Sequence, residues 1–416
     1  MRMLRDFMRF AGSLFYGWVI VAVAFVTMAI GVNARTAFSL LFPPIVDEFG
    51  WDRGATAAAF SFGFILAAVL SPLLGKWIDR FGPRPVLEAG IACVGIGLLA
   101  AAHIGAPWQL YATLGLLVGA GSVCLSYTGQ ACYLPNWFVR RRGLAMSIAF
   151  SGVGVGSIVL FPAMQALIGA AGWRTACTAL GAVVLVLLAP LNLLVRRRPQ
   201  DMGLAPDGDP QPLATDRAPA PTAAHWTLAR ALRSARFWWL AFAYFCGMYA
   251  WYSVQVHQTR YLQEIGFTGQ QAAWALGFVS LAGIPGQIAL GHFSDRIARE
   301  WVWCIGQLGF VVCYSALLAL QHWPVPPLLW LMVLAQGFLG YGVTSVVGAI
   351  PADPFHGRHY GAIFGAIMGI GIAGGAVGPW ITGLAYDVSR SYAPGFSLAL
   401  ASCVLSAVAI WIARRG

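Results

Sequence analysis

The stretch "GKWIDRFGPR", Gly75–Arg84, interrupts a long apolar run with a cluster of charges, and "GHFSDR", Gly291–Arg296, repeats its beginning 216 residues later. The same offset joins "DEFGWDRGATAAAF", from Asp47, to "QEIGFTGQQAAWAL", from Gln263. Further on, "RRGLAMSIAFSG" pairs with "HYGAIFGAIMG" at 218 residues, and "GWRTACTALGA" more loosely with "SYAPGFSLALA" at 219. So small a drift in register is what one unit, duplicated and fused, leaves behind.

The runs between these loops set the medium. Of 416 residues, 59% are hydrophobic and 10% charged, where a soluble chain carries roughly 25% charged residues. A helix needs roughly 20 apolar residues to cross hydrocarbon, and these continuous runs lack the alternation of membrane barrels. An all-α membrane protein of twelve transmembrane helices follows, at about 16–42, 55–76, 86–104, 110–135, 143–169, 174–195, 236–262, 270–292, 301–321, 327–351, 360–385 and 392–413. They divide into an N-terminal six-helix half, 1–195, and a C-terminal six-helix half, 236–416. Between them, 196–235 is rich in Pro, Ala and Asp and reads as a cytoplasmic linker ending in a short surface helix from Thr227. Parallel six-helix repeats enclosing a midplane site are a transporter architecture.

The net charge of +11 invites a nucleic-acid reading, but orientation explains it better. With both termini cytoplasmic, 21 of the 26 basic residues lie in inner segments and only Arg53, Arg174 and Arg390 in outer loops. This is the positive-inside bias, expected of a multi-pass protein of the cell inner membrane. Arg35 and Arg260 alone lie within helices. The leader "MRMLRDFMRF" resembles a signal-peptide n-region, yet the apolar run behind it is too long and lacks a small-residue cleavage site, so it should remain as the first helix. All eight cysteines fall in spans without a CxxC or Cys/His pattern and read as packing residues.

Within the repeated loop, Gly75 permits close helix approach, Asp79 can face the positive end of a neighbouring helix, and Arg80 and Arg84 can reach carboxylates or lipid phosphate. A loop that merely obeys the positive-inside rule is the plainer alternative; the second copy argues against it. Gly75, Asp79, Arg80, Gly82 and Arg84 resemble the signature loop between helices two and three of the major facilitator superfamily, and Gly291, Asp295 and Arg296 its weaker second-half copy. The resemblance covers essentially the whole chain. Within the superfamily, "YGWVIVAVAF", "PPIVDEFGW", "NWFVRRRGLAMSIAFSGVGVG" and "GLAYDVSRSYAPGF" look like the bacterial branch of the monocarboxylate porters, neighbours of the oxalate/formate antiporters. It implies alternating access, with the two loops favouring the outward-open state.

An arginine within a span costs roughly 2.5–3.5 kcal/mol on insertion scales and usually faces the protein interior or an aqueous cavity. Arg35, in "GVNARTAFSL", lies roughly 30 Å along the first helix, in its outer third, with small stripe neighbours Gly31 and Ser39. Snorkelling is the alternative. Eukaryotic monocarboxylate porters carry a first-helix lysine within one position, so by resemblance Arg35 is the carboxylate anchor, with Asn33 a further candidate in the same stretch. Tyr127 stands ten residues before Trp137, the spacing of a substrate-contacting tyrosine in oxalate-transporter relatives; interhelical packing is its other reading. Ser253, His257, Arg260 and Glu264 share one helix face. Arg260 and Glu264 read as an interfacial ion pair or gate, and His257 as a group for proton coupling or gating, or a structural histidine. Trp251 occupies the repeat position of Arg35 and would supply an aromatic wall. Animal porters place an Asp and an Arg where this chain has Gly283 and Gln287, and oxalate relatives a lysine where it has Ile367. One cation at depth then suits one carboxylate, with Gln287 orienting the substrate by hydrogen bonding.

The expectation is a secondary transporter, not an enzyme, moving a small organic monocarboxylate. A proton is a candidate co-substrate, membrane lipid the surroundings, and a monomer without cofactor or metal the working form. A drug or metabolite efflux antiporter of this fold would want a buried acid in the cavity. A non-transporting carboxylate sensor would want a large signalling segment. The sequence supplies neither, and glycine runs such as "GVGVGS" lie in helices where close packing explains them.

Overall fold

The computed structural model describes residues 15–51, 53–208, 226–355, 357 and 359–415. Arg2, Arg5, Arg9, Arg358 and most of the linker, with Arg217, lie outside the described residues. Those described form helices and no strand. Ten stretches are long and apolar enough to cross a membrane. One of them, Arg142–Asn192, is two spans hinged at Gly172, whose φ of 81° favours glycine. The seventh helix, Ala235–Glu264, stays outside that count because its aromatic and amide side chains lower its hydropathy. Twelve spans result.

The first span runs further than residue 42. Tyr16–Thr36 passes through Ala37 into Phe38–Phe49, with the Ala37 N–H still bonded to the Asn33 carbonyl at 2.7 Å, and ends where Gly50 takes φ 62°. Arg53–Phe81 turns at Gly82 (φ 85°) directly into Pro83–Ala101, so proline opens the third helix where its missing N–H is harmless. The fourth and tenth spans, repeat mates, are both irregular. The fourth widens over Tyr111–Val118 and breaks at Ser126, and the tenth widens over Ala335–Leu339 and tightens over Gly340–Ser345. Gly269–Ser294, Arg299–Leu320, Tyr360–Ser389 and Ala393–Arg415 supply spans eight, nine, eleven and twelve. Thr227 caps a surface helix, Leu228–Leu232, by accepting from the Arg230 N–H at 3.3 Å.

Both Tyr16 and Arg415 lie at one end of the bundle, called here the terminal end. There span 2 packs on span 11 and span 5 on span 8. Gly75 lies against the Gly361 backbone and Gly143 against Gly291 and Ser294, close approaches that leave no room for a Cβ. One apolar cluster runs from the first half into terminal-end residues of the second, including Leu290, Trp303, Val346, Phe355 and Ile363. Far-end residues of the second half, among them Val254, Leu262, Ala272 and Leu317, form a separate cluster. Gly169 and Gly277, at the far ends of spans 5 and 8, have nothing within 4 Å of a built Cβ. The halves share a core at the terminal end and part at the far end, which leaves a cleft open on that side.

Candidate functional site

Arg35 occupies the last turn before Ala37, half-buried, with its guanidinium 4.3 Å from the centre of the Phe64 ring. Among the described residues no carboxylate pairs with it. Phe64 meets the edge of Tyr252 at 6.0 Å, and Tyr252 is held against Gly375 of span 11. The Tyr252 hydroxyl lies within electrostatic reach of Arg35, Tyr127 and Tyr341. Tyr127 opens the turn after the break at Ser126 and stands edge-on to Phe150 at 5.0 Å. A cation and two phenols, without a protein acceptor among the described residues, therefore gather between the halves.

Trp251 does not face Arg35. It stacks on Tyr341 at 4.4 Å and contacts Phe310, and the Tyr341 hydroxyl donates to Gln255 Oε1 at 3.0 Å. The span 7 ring on the Arg35 side is the next residue, Tyr252, which meets the Phe64 ring beneath Arg35. Tyr341 also fills the space a Cβ at Gly283 would need, which is why an acid has no room there. Gln287 is 6% exposed, and its Oε1 has no hydrogen-bond partner among the described residues. It shares the face of span 8 whose Ile284 lies against Gly154 and whose Gly291 lies against Ser147 of span 5. The Asn33 amide donates to the Ala29 carbonyl at 2.7 Å and the Val153 carbonyl at 2.9 Å, so both of its donor hydrogens are engaged in tying span 1 to span 5.

The polar stripe of span 7 belongs to a seam. Ser253 donates to the Tyr249 carbonyl, and His257 Nε2 lies 2.9 Å from the Pro379 carbonyl, beside Tyr392 at 5.4 Å. A carbonyl only accepts, so Nε2 carries the proton. Arg260 pairs with Glu264 at 3.0 Å, its side chain 68% exposed. His257 stands about one and a half turns farther out than Tyr252, and none of the three joins the Arg35 group.

The repeated loops build the terminal end. Asp79 accepts from the N–H groups of Gly361 and Ala362 at 3.1 and 2.8 Å, capping span 11. Asp295 accepts from Gly143 and Leu144 at 2.7 and 3.0 Å, capping span 5. Each places a carboxylate on a helix N-terminus, where unsatisfied N–H groups and the dipole both favour it. Burial pushes the Asp295 carboxyl above its ordinary value, against the pull of those N–H groups and of Arg299. Arg80, Arg84 and Arg296 are exposed and take no part in these caps. The bridging cations are ones sequence reasoning missed: Arg142 reaches Asp353 across the halves at 3.1 Å, Arg299 meets the same oxygen, and Arg197 donates to the Asp79 carbonyl. At the far end Glu48 binds Arg174 at 2.6 Å and the Trp173 indole at 2.7 Å, contacts that hold its carboxyl below the usual range. All eight cysteines are unpaired, and no group of three metal-ligating side chains occurs among the described residues.

Mirrored loops capping mirrored helices, and a lone cation among aromatic rings between two halves, define a helical membrane carrier built from a duplicated unit. The chain belongs to the major facilitator superfamily, whose profile, described as Major Facilitator Superfamily, matches residues 18–269 and 258–416. It is a multi-pass membrane transporter of a small molecule. It is 27% identical over 391 residues to monocarboxylate transporter 13 of Rattus norvegicus, covering 92% of this chain and 86% of that one. Identity to monocarboxylate transporter 11 of Mus musculus is 28%, covering 95% and 87%. An uncharacterized MFS-type transporter of Bacillus subtilis, YcxA, is 23% identical over 93% and 92%. In fold the chain resembles the human organic anion transporter MFSD10, with a TM-score of 0.71, 15% identity and coverage of 95% and 99%. It also resembles FucP in the outward conformation, with a TM-score of 0.69, 16% identity and coverage of 95% and 97%.

Proposed function

We propose that this transporter carries a small organic monocarboxylate, bound by Arg35 with the hydroxyls of Tyr127 and Tyr252, across the cell inner membrane. The observation that carries the reading is the Arg35 guanidinium, stacked on Phe64 and paired with no carboxylate among the described residues. A charge kept in a span without a counter-ion calls for an anionic ligand, and a planar fork matches one carboxylate in bidentate fashion. Gln287, buried with an unpartnered amide oxygen, orients the rest of the substrate. The names of the monocarboxylate transporters similar to this chain point the same way.

The halves 1–195 and 236–416 act as two bodies joined by the 196–235 linker and rock about the Arg35 group as a monomer. The basic terminal end faces the cytoplasm, so the present conformation opens outward. A proton is the candidate co-substrate, with His257 the group to examine. Uptake of a radiolabelled monocarboxylate panel into proteoliposomes tests the reading. Arg35→Gln should abolish saturable uptake, while Arg35→Lys retains part of it. Wild-type uptake by Arg35→Gln, with normal insertion, would sink the assignment.

A further inference from the structure

Away from the Arg35 group, spans 9 and 12 leave a groove of about 610 Å³ on the outer surface of the bundle. Leu308 and Val311 form one side, Val404 and Val408 the other, and Trp411 and Arg415 close its terminal end. Leu308, Val404 and Val408 are all roughly half exposed to the surroundings, at 54%, 48% and 51%. From Cys403 to Arg415 the groove follows span 12 for about 18 Å, close to half of the roughly 30 Å of bilayer hydrocarbon. That is the length of one acyl chain in one leaflet.

The mouth differs in chemistry from the slot. Trp411 donates its indole N–H to Cys304 Sγ at 3.2 Å and stands edge-on to Trp301 at 5.1 Å, two rings at the depth where aromatic residues meet headgroups. Arg414 lies over the Trp411 ring at 5.1 Å and pairs with Glu300 at 3.3 Å, so the one acid at the mouth is already matched. Arg415 is exposed and pairs with no carboxylate among the described residues. An apolar slot of leaflet length thus ends on a guanidinium that pairs with no carboxylate among the described residues.

We propose that this groove binds an anionic phospholipid, with one acyl chain along Leu308, Val404 and Val408 and the phosphate on Arg415. The full chain, released from detergent in native mass spectrometry after titration with phosphatidylglycerol or phosphatidylcholine, tests it. The wild type should retain phosphatidylglycerol under collisional activation that strips phosphatidylcholine. Arg415→Gln should lower that retention about fivefold, the factor expected for one basic residue at an anionic surface. Val408→Trp, which blocks the slot from its exposed side, should abolish retention of phosphatidylglycerol under the same activation. Both side chains are exposed, so neither change disturbs the packed interior. Equal retention of the two lipids by the wild type, or undiminished phosphatidylglycerol on Arg415→Gln, overturns the proposal.

Discussion

Substituting Gly75 by alanine tests how the terminal end is closed. A Cβ at position 75 would stand 2.8 Å from the Ala362 nitrogen and nearer still to the Gly361 carbonyl, both backbone atoms that no rotamer change can move. Ordinary contact begins near about 3.4 Å, so spans 2 and 11 must separate by about 0.6 Å to clear the Ala362 nitrogen alone, and by more to clear the nearer Gly361 carbonyl. The Asp79 hydrogen bonds, 2.8 and 3.1 Å in the native arrangement, then stretch to about 3.4 and 3.7 Å, at or past the limit for such bonds. Overpacking costs about 1–3 kcal/mol, and a weakened hydrogen bond to a charged group up to about 1.5–3 kcal/mol. The sum, about 2.5–6 kcal/mol against the closed terminal end, shifts its population by roughly two to four orders of magnitude. Hydrogen–deuterium exchange in nanodiscs reads this directly at Gly361 and Ala362, whose N–H groups Asp79 holds. Exchange there should rise at least tenfold in Gly75→Ala and stay unchanged in Gly277→Ala, where the new methyl meets nothing within 4 Å. Gly291→Ala should raise it as well, because a Cβ there meets the Gly143 carbonyl at 2.8 Å and the buried Ser147 side chain bonded to that carbonyl. Unaltered exchange in Gly75→Ala would refute the claim that this backbone contact holds the end shut.

Three further outcomes are expected. On the proposed function, Tyr252→Phe should raise the KM for the monocarboxylate by at least about tenfold, the loss of one hydrogen bond to a charged group, whereas Trp251→Phe should leave KM nearly unchanged. Asp353→Asn removes the partner of Arg142 and Arg299 together, leaving two cations facing each other. It should open the terminal end, seen as greater separation between spin labels at positions 139 and 297, with Arg142→Gln on the same background producing little further change. Finally, the Asp295 carboxyl is raised in the closed state by burial, so that state holds its proton more tightly than one in which the loop is solvated. Lowering pH towards the ordinary Asp value, about 3.9, should therefore favour the closed terminal end, and raising pH should relieve that bias. The same label pair measures it, and Asp295→Asn should remove its share of the dependence.

Much of the fold was legible because it rests on composition. Apolar length gives the spans, and the repeat at 216 residues pairs Asp79 with Asp295, each of which caps a helix of the opposite half. Arg35 was legible because a charge in a span is rare. Tyr252 was not: whether residue 251 or 252 faces the cleft depends on the rotation of span 7, which its packing on span 11 through Gly374, Gly375 and Gly378 fixes. The Arg142–Asp353–Arg299 bridge was hidden for another reason. Its members are far apart in sequence, and Arg142 aligns with Tyr360 in the repeat, so symmetry gives no hint of it. Asn33 read as a substrate contact because a polar side chain beside Arg35 looks like one. Only the position of Val153 shows that its donors are already engaged.

The contrast between the two ends of the bundle carries a functional consequence. At the terminal end the caps of the two halves are alike: each loop aspartate caps the other half's helix, and each paired glycine admits a backbone. Around Arg35 they do not, since its repeat mate is a tryptophan stacked into its own half and the acid-bearing position of animal relatives is a glycine packed under Tyr341. A symmetric scaffold can rock between two equivalent closures, because the interfaces at issue are built from the same parts. On the proposed function, such an asymmetric centre holds one orientation of a singly charged ligand, its carboxylate towards Arg35 of span 1. On that reading the duplicated parts supply the motion, and the residues that broke the duplication supply the selectivity.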